Sequence, residues 1–139
     1  MAEGIARWLA TSGRMPGVPE GTLFVSAGVF ASEGRRYSEE TLRALERLGI
    51  EADGRSTPLN AEMVRRADLV LAMTEQHADA VREMLDAGDP AASRVRVVDP
   101  EGDIPDPIGF GQDRYDSIAQ RLIDVLPQVV AGGLAASAD

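Results

Sequence analysis

The run Asp68-Leu69-Val70-Leu71-Ala72-Met73 constrains the rest of the chain more than any other stretch. It is apolar, of strand length, and passes directly into Thr74, a residue suited to capping a helix. The stretch that follows carries Ala78, Val81 and Leu85 at helical spacing and stops at Gly88. A buried strand that feeds straight into an amphipathic helix demands a second, parallel strand once the helix has crossed back. Residues 94–98 supply that strand. Residues 22–27, apolar at Leu23, Phe24 and Val25, read as another buried strand, closed by Ser26-Ala27-Gly28.

Helical patterns fill the intervals. Ile5, Trp8 and Leu9 share a face in residues 1–10, with Glu3 and Arg7 off it, and nothing precedes Met1 to cap that helix. Residues 12–21, rich in Gly and Pro, read as loop. Ser38 caps a helix with Glu39 and Glu40 in its first turn, Leu42, Leu45 and Leu48 on its buried face, and Gly49 at its end. A short helix starts at Asn60 with Met63 and Val64 inward. Tyr115, Ile118, Leu122, Leu126 and Val129 form a last long stripe, which Pro127 is expected to kink or shorten. Residues 1–131 are expected to form one domain, with residues 132–139 a frayed tail. Strands alternating with helices predict an α/β fold, a parallel sheet covered on both faces, with ligands outside the carboxyl ends of the strands.

Composition narrows the functions open to such a domain. Fourteen Lys+Arg against 23 Asp+Glu give a formal net charge of -9, which argues against nucleic acid and anionic membrane partners. The sequence contains no cysteine, so it holds no disulfide, thiolate metal site or cysteine nucleophile. No apolar run approaches the roughly 18 residues of a membrane span, and the N-terminal stretch does not resemble a signal peptide; a cytoplasmic location is expected.

The candidate site is the loop Asp103-Ile104-Pro105-Asp106-Pro107-Ile108-Gly109. Pro107 restricts Asp106 to an extended conformation, and the two prolines stiffen the loop at the mouth of any strand-end site. A carboxylic acid held there is suited to protonating a leaving oxygen. An aspartate before proline is also an ordinary turn residue, and from the dipeptide alone that is the commoner case. Asp103 reads as a solvated turn residue. Ser26 either orients a ligand or neighbouring loop or bonds nearby backbone. His77, in the first turn of a helix, reads as a surface histidine. Arg35-Arg36 and Arg65-Arg66 read as solvated surface. Gly109-Phe110-Gly111-Gln112-Asp113-Arg114 starts like a dinucleotide fingerprint but ends in Arg114 and has no strand directly before it. No metal or cofactor is expected.

These pieces, in this order, resemble the low-molecular-weight protein tyrosine phosphatase family, including its bacterial arginine-phosphatase branch. Met1-Ala2-Glu3-Gly4-Ile5-Ala6 is similar to the start of that family's first helix, and Val25-Ser26-Ala27-Gly28 to its second strand. Gly49-Ile50 with Arg55-Ser56-Thr57-Pro58-Leu59 resembles its middle segment, residues 67–74 its third strand, and Asp103-Ile104-Pro105-Asp106-Pro107 its general-acid loop. The resemblance spans residues 1 to about 130. It implies a Rossmann-like three-layer sandwich and hydrolysis of phosphate monoesters, on phosphoprotein or small phosphoester substrates, through a phosphocysteine. In that mechanism Asp106 is the general acid, and Ser26 and Pro107 support the loops. Loop N–H groups and a helix N-terminus hold the phosphate and lower the thiol pKa, while an arginine binds phosphate oxygens in bidentate fashion.

The sequence departs from that pattern at its chemical centre. The family's first strand and its Cys-x5-Arg-Ser loop are absent. Gly54 stands where the family has a histidine linked to the loop, and Ile108 where an aromatic residue often lines the substrate slot. Arsenate reductases of this fold need cysteines that this chain lacks. Without the first strand, which lies between the second and third, both neighbours are expected to lose a ladder partner. Buried unpaired groups cost about 1–3 kcal/mol each, against a whole-domain stability on the order of 5–15 kcal/mol. The expectation is that the written chain is incomplete, Met1 being internal or the start of a fragment, and that as given it is inactive. The alternatives are a non-catalytic module of the same fold that binds phosphate or accepts a partner's strand, and a receiver-like domain, for which residues 26–28 offer no acidic cluster. The choice between tyrosine and arginine phosphatase, and the oligomeric state, are open at this point.

Overall fold

A computed structural model describes residues 1–28, 37–51 and 57–137. Arg35, Arg36, Gly54, Arg55 and Ser56, each singled out from the sequence, lie outside the described residues.

Local signals place most helices. In α2 (Glu39–Arg47) the Ser38 hydroxyl accepts from the Thr41 amide; in α3 (Ala61–Arg66) Asn60 accepts from Met63; in α4 (Glu75–Glu83) Thr74 accepts from His77. Each cap satisfies an N–H that the helix itself cannot. Gly49 ends α2 with a positive φ of 75°, which lets the Ile50 amide turn back to the Leu45 carbonyl at 2.9 Å. The first helix, α1 (Ala2–Thr11), buries Ile5, Ala6 and Leu9 but has no side-chain cap. A 3₁₀ turn over Pro90–Arg94, capped by Asp89, leads into the second strand.

The strands β1 (Val70–Ala72) and β2 (Val95–Val97) pair in parallel, with Val70 opposite Val95 and Ala72 opposite Val97. Side chains along a strand alternate faces, and β1 shows what that achieves here. Leu71 and Met73 pack on a core built from α1, α2 and α5, while Val70 and Ala72 pack on a second core with Val64, Ala78 and Val81 of α3 and α4. Helices thus cover both faces of a parallel sheet, the predicted α/β architecture without the first strand.

Residues 22–27 do not form the buried strand expected of them. They carry no ladder; one isolated parallel bridge joins Gly28 to Pro58, through Gly28 N–H to Thr57 O at 2.9 Å and Leu59 N–H to Gly28 O at 3.0 Å. Leu23 and Val25 are 88% and 73% exposed, and only Phe24 turns to the core. Side chains of α1 take part of the place of a neighbouring strand. Arg7 donates to the Phe24 carbonyl at 2.8 and 3.1 Å, and the Ser26 amide donates to Glu3 Oε1 at 2.9 Å. Leu42, expected on the buried face of α2, is 41% exposed, because Thr41, Ala44 and Leu45 form that face.

The last helix, α5 (Gln112–Ser137), neither shortens at Pro127 nor frays at residue 132. Gly133 explains the close packing of its end: a Cβ there would stand 2.7 Å from both methyls of Leu69, just ahead of β1. Among the described residues no helix is long and apolar enough to cross a membrane.

Candidate functional site

The loop between β2 and α5 has a fixed half and an exposed half. Val98 and Ile104 are fully buried, and the Ile104 amide donates to the Met73 carbonyl at 2.8 Å, tying the loop to the end of β1. Residues 105–111 are exposed apart from the half-buried Pro107 before the chain enters α5 at Gln112. Positive φ at Gly109 (81°) and Gly111 (86°) provides the turns that bring it there.

Asp106 sits on the exposed half. Its Oδ1 accepts from the Ile108 amide at 3.1 Å across Pro107, an Asx turn on an exposed side chain. Pro107 completes the turn by accepting from the Phe110 amide at 3.0 Å. Asp103 is exposed, as expected of a solvated turn residue, and it has a further role. Its carboxylate accepts from Glu75 N–H at 2.9 Å and so adds to the cap at the start of α4, where negative charge meets the positive end of the helix dipole. The carboxyl ends of β1 and β2, the N-terminus of α4 and the Asp106 loop therefore share one edge of the sheet.

Two polar groups that the sequence did not single out hold this region. Arg121 of α5 donates to Asp99 Oδ2 at 2.7 Å, to the Gly102 carbonyl at 3.0 Å and to the Asp103 carbonyl at 3.2 Å. Asp99 is buried, with its side chain 6% exposed. The Glu101 amide, at 2.9 Å, and then the Arg121 guanidinium hold its carboxyl below the usual aspartate range. At the other foot of the loop, Gln112 donates to the Glu40 carbonyl and to Asp116, which also pairs with Arg47 of α2. Asp99 and Arg121 are 22 residues apart, and no local pattern links them.

Ser26 lies elsewhere in the hydrogen-bond network, in a cluster around Glu3 in the first turn of α1. Glu3 accepts from the Ser26 amide at 2.9 Å, its hydroxyl at 3.5 Å and the Tyr37 hydroxyl at 3.3 Å, with Arg7 at 3.7 Å. Burial, and then the charge of Glu3, push the Tyr37 phenol above its ordinary value. His77 is half-buried in the first turn of α4, and its amide serves the Thr74 cap. Arg65 and Arg66 are exposed, as expected, and carry surface ion pairs: Arg65 with Asp89 at 3.2 Å and Asp86 at 3.8 Å, and Arg66 with Glu62. Among the described residues no group of three or more His, Asp or Glu side chains is placed to hold a metal ion.

A protein-arginine-phosphatase of Geobacillus stearothermophilus is 34% identical over a 131-position alignment that covers 88% of this chain and 86% of that one. A protein-arginine-phosphatase of Bacillus subtilis is 33% identical over 106 residues, 75% of this chain and 71% of that one. The solved YwlE arginine phosphatase of G. stearothermophilus superimposes with a TM-score of 0.77 at 30% identity, over 97% of this chain and 83% of that one. The family model described as low molecular weight phosphotyrosine protein phosphatase matches residues 1–136, and the chain belongs to that family.

Proposed function

We propose that this domain is built for phosphate-ester or phosphoramidate hydrolysis through a phosphocysteine, with Asp106 as the general acid, and that the chain as given does not turn over substrate. The observation that carries the reading is the placement of Asp106. An exposed carboxylate stands on a proline-braced loop whose two ends are fastened to β1, α4 and α2, at the carboxyl edge of the sheet. The relatives named as arginine phosphatases favour phosphoarginine proteins as the substrate class within the family. The composition fits a cytoplasmic phosphoprotein substrate rather than nucleic acid.

In this mechanism a thiolate attacks phosphorus and forms an S–P bond as the bond to the leaving group breaks. Asp106 gives its proton to that leaving atom, then takes one from the water that displaces the thiolate and releases phosphate. None of the 139 residues is a cysteine, so the thiolate has no source in this chain.

The test is an assay with p-nitrophenyl phosphate and phosphoarginine. The chain alone should show no turnover. A chimera with the first strand and Cys-x5-Arg-Ser loop of an arginine phosphatase placed ahead of Met1 should turn over substrate, and Asp106→Ala should lower its rate about 10²–10⁴-fold. A folded chimera without activity, or one indifferent to Asp106→Ala, overturns the reading. The alternative, a non-catalytic module of the same fold, draws on the exposed Leu23 and Val25 and on the uncapped start of α1. It requires that the chain itself bind phosphate or a phosphopeptide in calorimetry without turnover.

A further inference from the structure

We propose that Arg121 is a positioning residue for the Asp106 loop. The proposal rests on the reading of Asp106 as general acid, and it concerns how that carboxylate is kept in place. Arg121 projects from the middle of α5 and serves three acceptors with three nitrogens: Nε to Asp99 Oδ2, Nη2 to the Gly102 carbonyl and Nη1 to the Asp103 carbonyl. One planar guanidinium thus fixes both ends of the turn 99–103. Asp99, buried and bonded to the Glu101 amide, gives the guanidinium its orientation.

What the turn fixes is the next stretch of chain. With its carbonyl held, Asp103 directs its carboxylate to the Glu75 amide, and Ile104 donates to Met73. Asp106 follows two residues on, with Pro105 and Pro107 on either side to transmit the geometry. A lysine cannot replace this arrangement, because an ammonium is a point donor without the planar fork that meets a carboxylate and two carbonyls together. No other described cation bonds to the turn, and the other arginine of α5, Arg114, is stacked on Phe110.

The experiment is amide hydrogen exchange by NMR on the full chain and its Arg121→Met and Arg121→Lys variants, reading Glu75, Ile104 and Ile108. Ile50 and Leu59, whose amides bond to Leu45 and Gly28, are the references. Arg121→Met should speed exchange at least tenfold at all three loop-linked amides, with the references within about twofold. Arg121→Lys should do the same by a smaller factor and serves alone if the methionine variant does not fold. An equal rise at every amide makes Arg121 a general stabiliser and overturns the proposal. A rise confined to Glu75 and Ile104 also overturns it, since Arg121 then holds the foot of the loop and not the acid. No change overturns it as well. None of these readings needs turnover, so failure of the phosphatase reading shows only in the chimera assay and failure of the clamp only here.

Discussion

Asp99 shows how one buried carboxylate becomes a pH-dependent stabiliser. The Glu101 amide and the Arg121 guanidinium both favour its charged form, so its folded pKa lies below its unfolded one. The stabilisation is complete above the ordinary aspartate value of about 3.9 and is lost as pH falls through the folded value. Asp99→Asn should lower stability by about 1.5–3 kcal/mol near neutrality, the range for hydrogen bonds to charged groups, and should flatten the loss below about pH 4. Urea midpoints at several pH values check both. Tyr37 works in the opposite direction. Burial and Glu3 favour its neutral phenol, so its stabilisation is complete below about pH 10 and is lost as pH rises through the raised folded value. Tyr37→Phe should leave the alkaline limb flatter than wild type in the same titration. None of these three pairings was legible in the sequence. Asp99–Glu101 is local but looks like any turn, and Arg121–Asp99 and Glu3–Tyr37 join residues 22 and 34 apart.

Among the elements, legibility follows locality. Ser38 and Thr74 were readable as caps, and Asn60 as a helix start, because each bonds an amide three residues on, within the same stretch of sequence. Residues 68–73 were readable as a strand because two cores press on it from opposite faces. Residues 22–27 have similar composition and a different fate, because burial depends on neighbours that composition does not name. This difference is measurable. Leu23→Lys should change stability by less than about 0.5 kcal/mol, as expected of a surface position, while Leu45→Ala in the core of α2 should cost about 2–5 kcal/mol. Comparable losses at both sites in chemical denaturation would mean that Leu23 is covered after all. Pro127 was expected to kink or shorten α5, yet the helix continues on the packing of Leu126 and Val130. That continuity comes at the expense of a missing main-chain donor. Pro127→Ala should therefore raise the melting temperature, by the equivalent of about 1–3 kcal/mol.

At the scale of the molecule, the two cores are joined through strands only three residues long. Val98, just past β2, belongs to the core of α1, α2 and α5, whereas Val95 and Val97 belong to that of α3 and α4. Each core therefore depends on strand residues whose backbone the other core also holds, and the fold should unfold as one unit despite its narrow sheet. The single tryptophan makes this visible. Trp8 packs against the first core and reports on it alone, while far-ultraviolet dichroism reports on helices of both. Val81 is buried in the second core, and Val81→Ala removes two methyl groups there, a loss of about 2 kcal/mol. If the cores are coupled through β1 and β2, this remote substitution should lower the denaturant midpoint seen by Trp8 fluorescence as far as the midpoint seen by dichroism. If the sheet is too narrow to couple them, the Trp8 transition should stay at its wild-type midpoint while the dichroism splits into two steps.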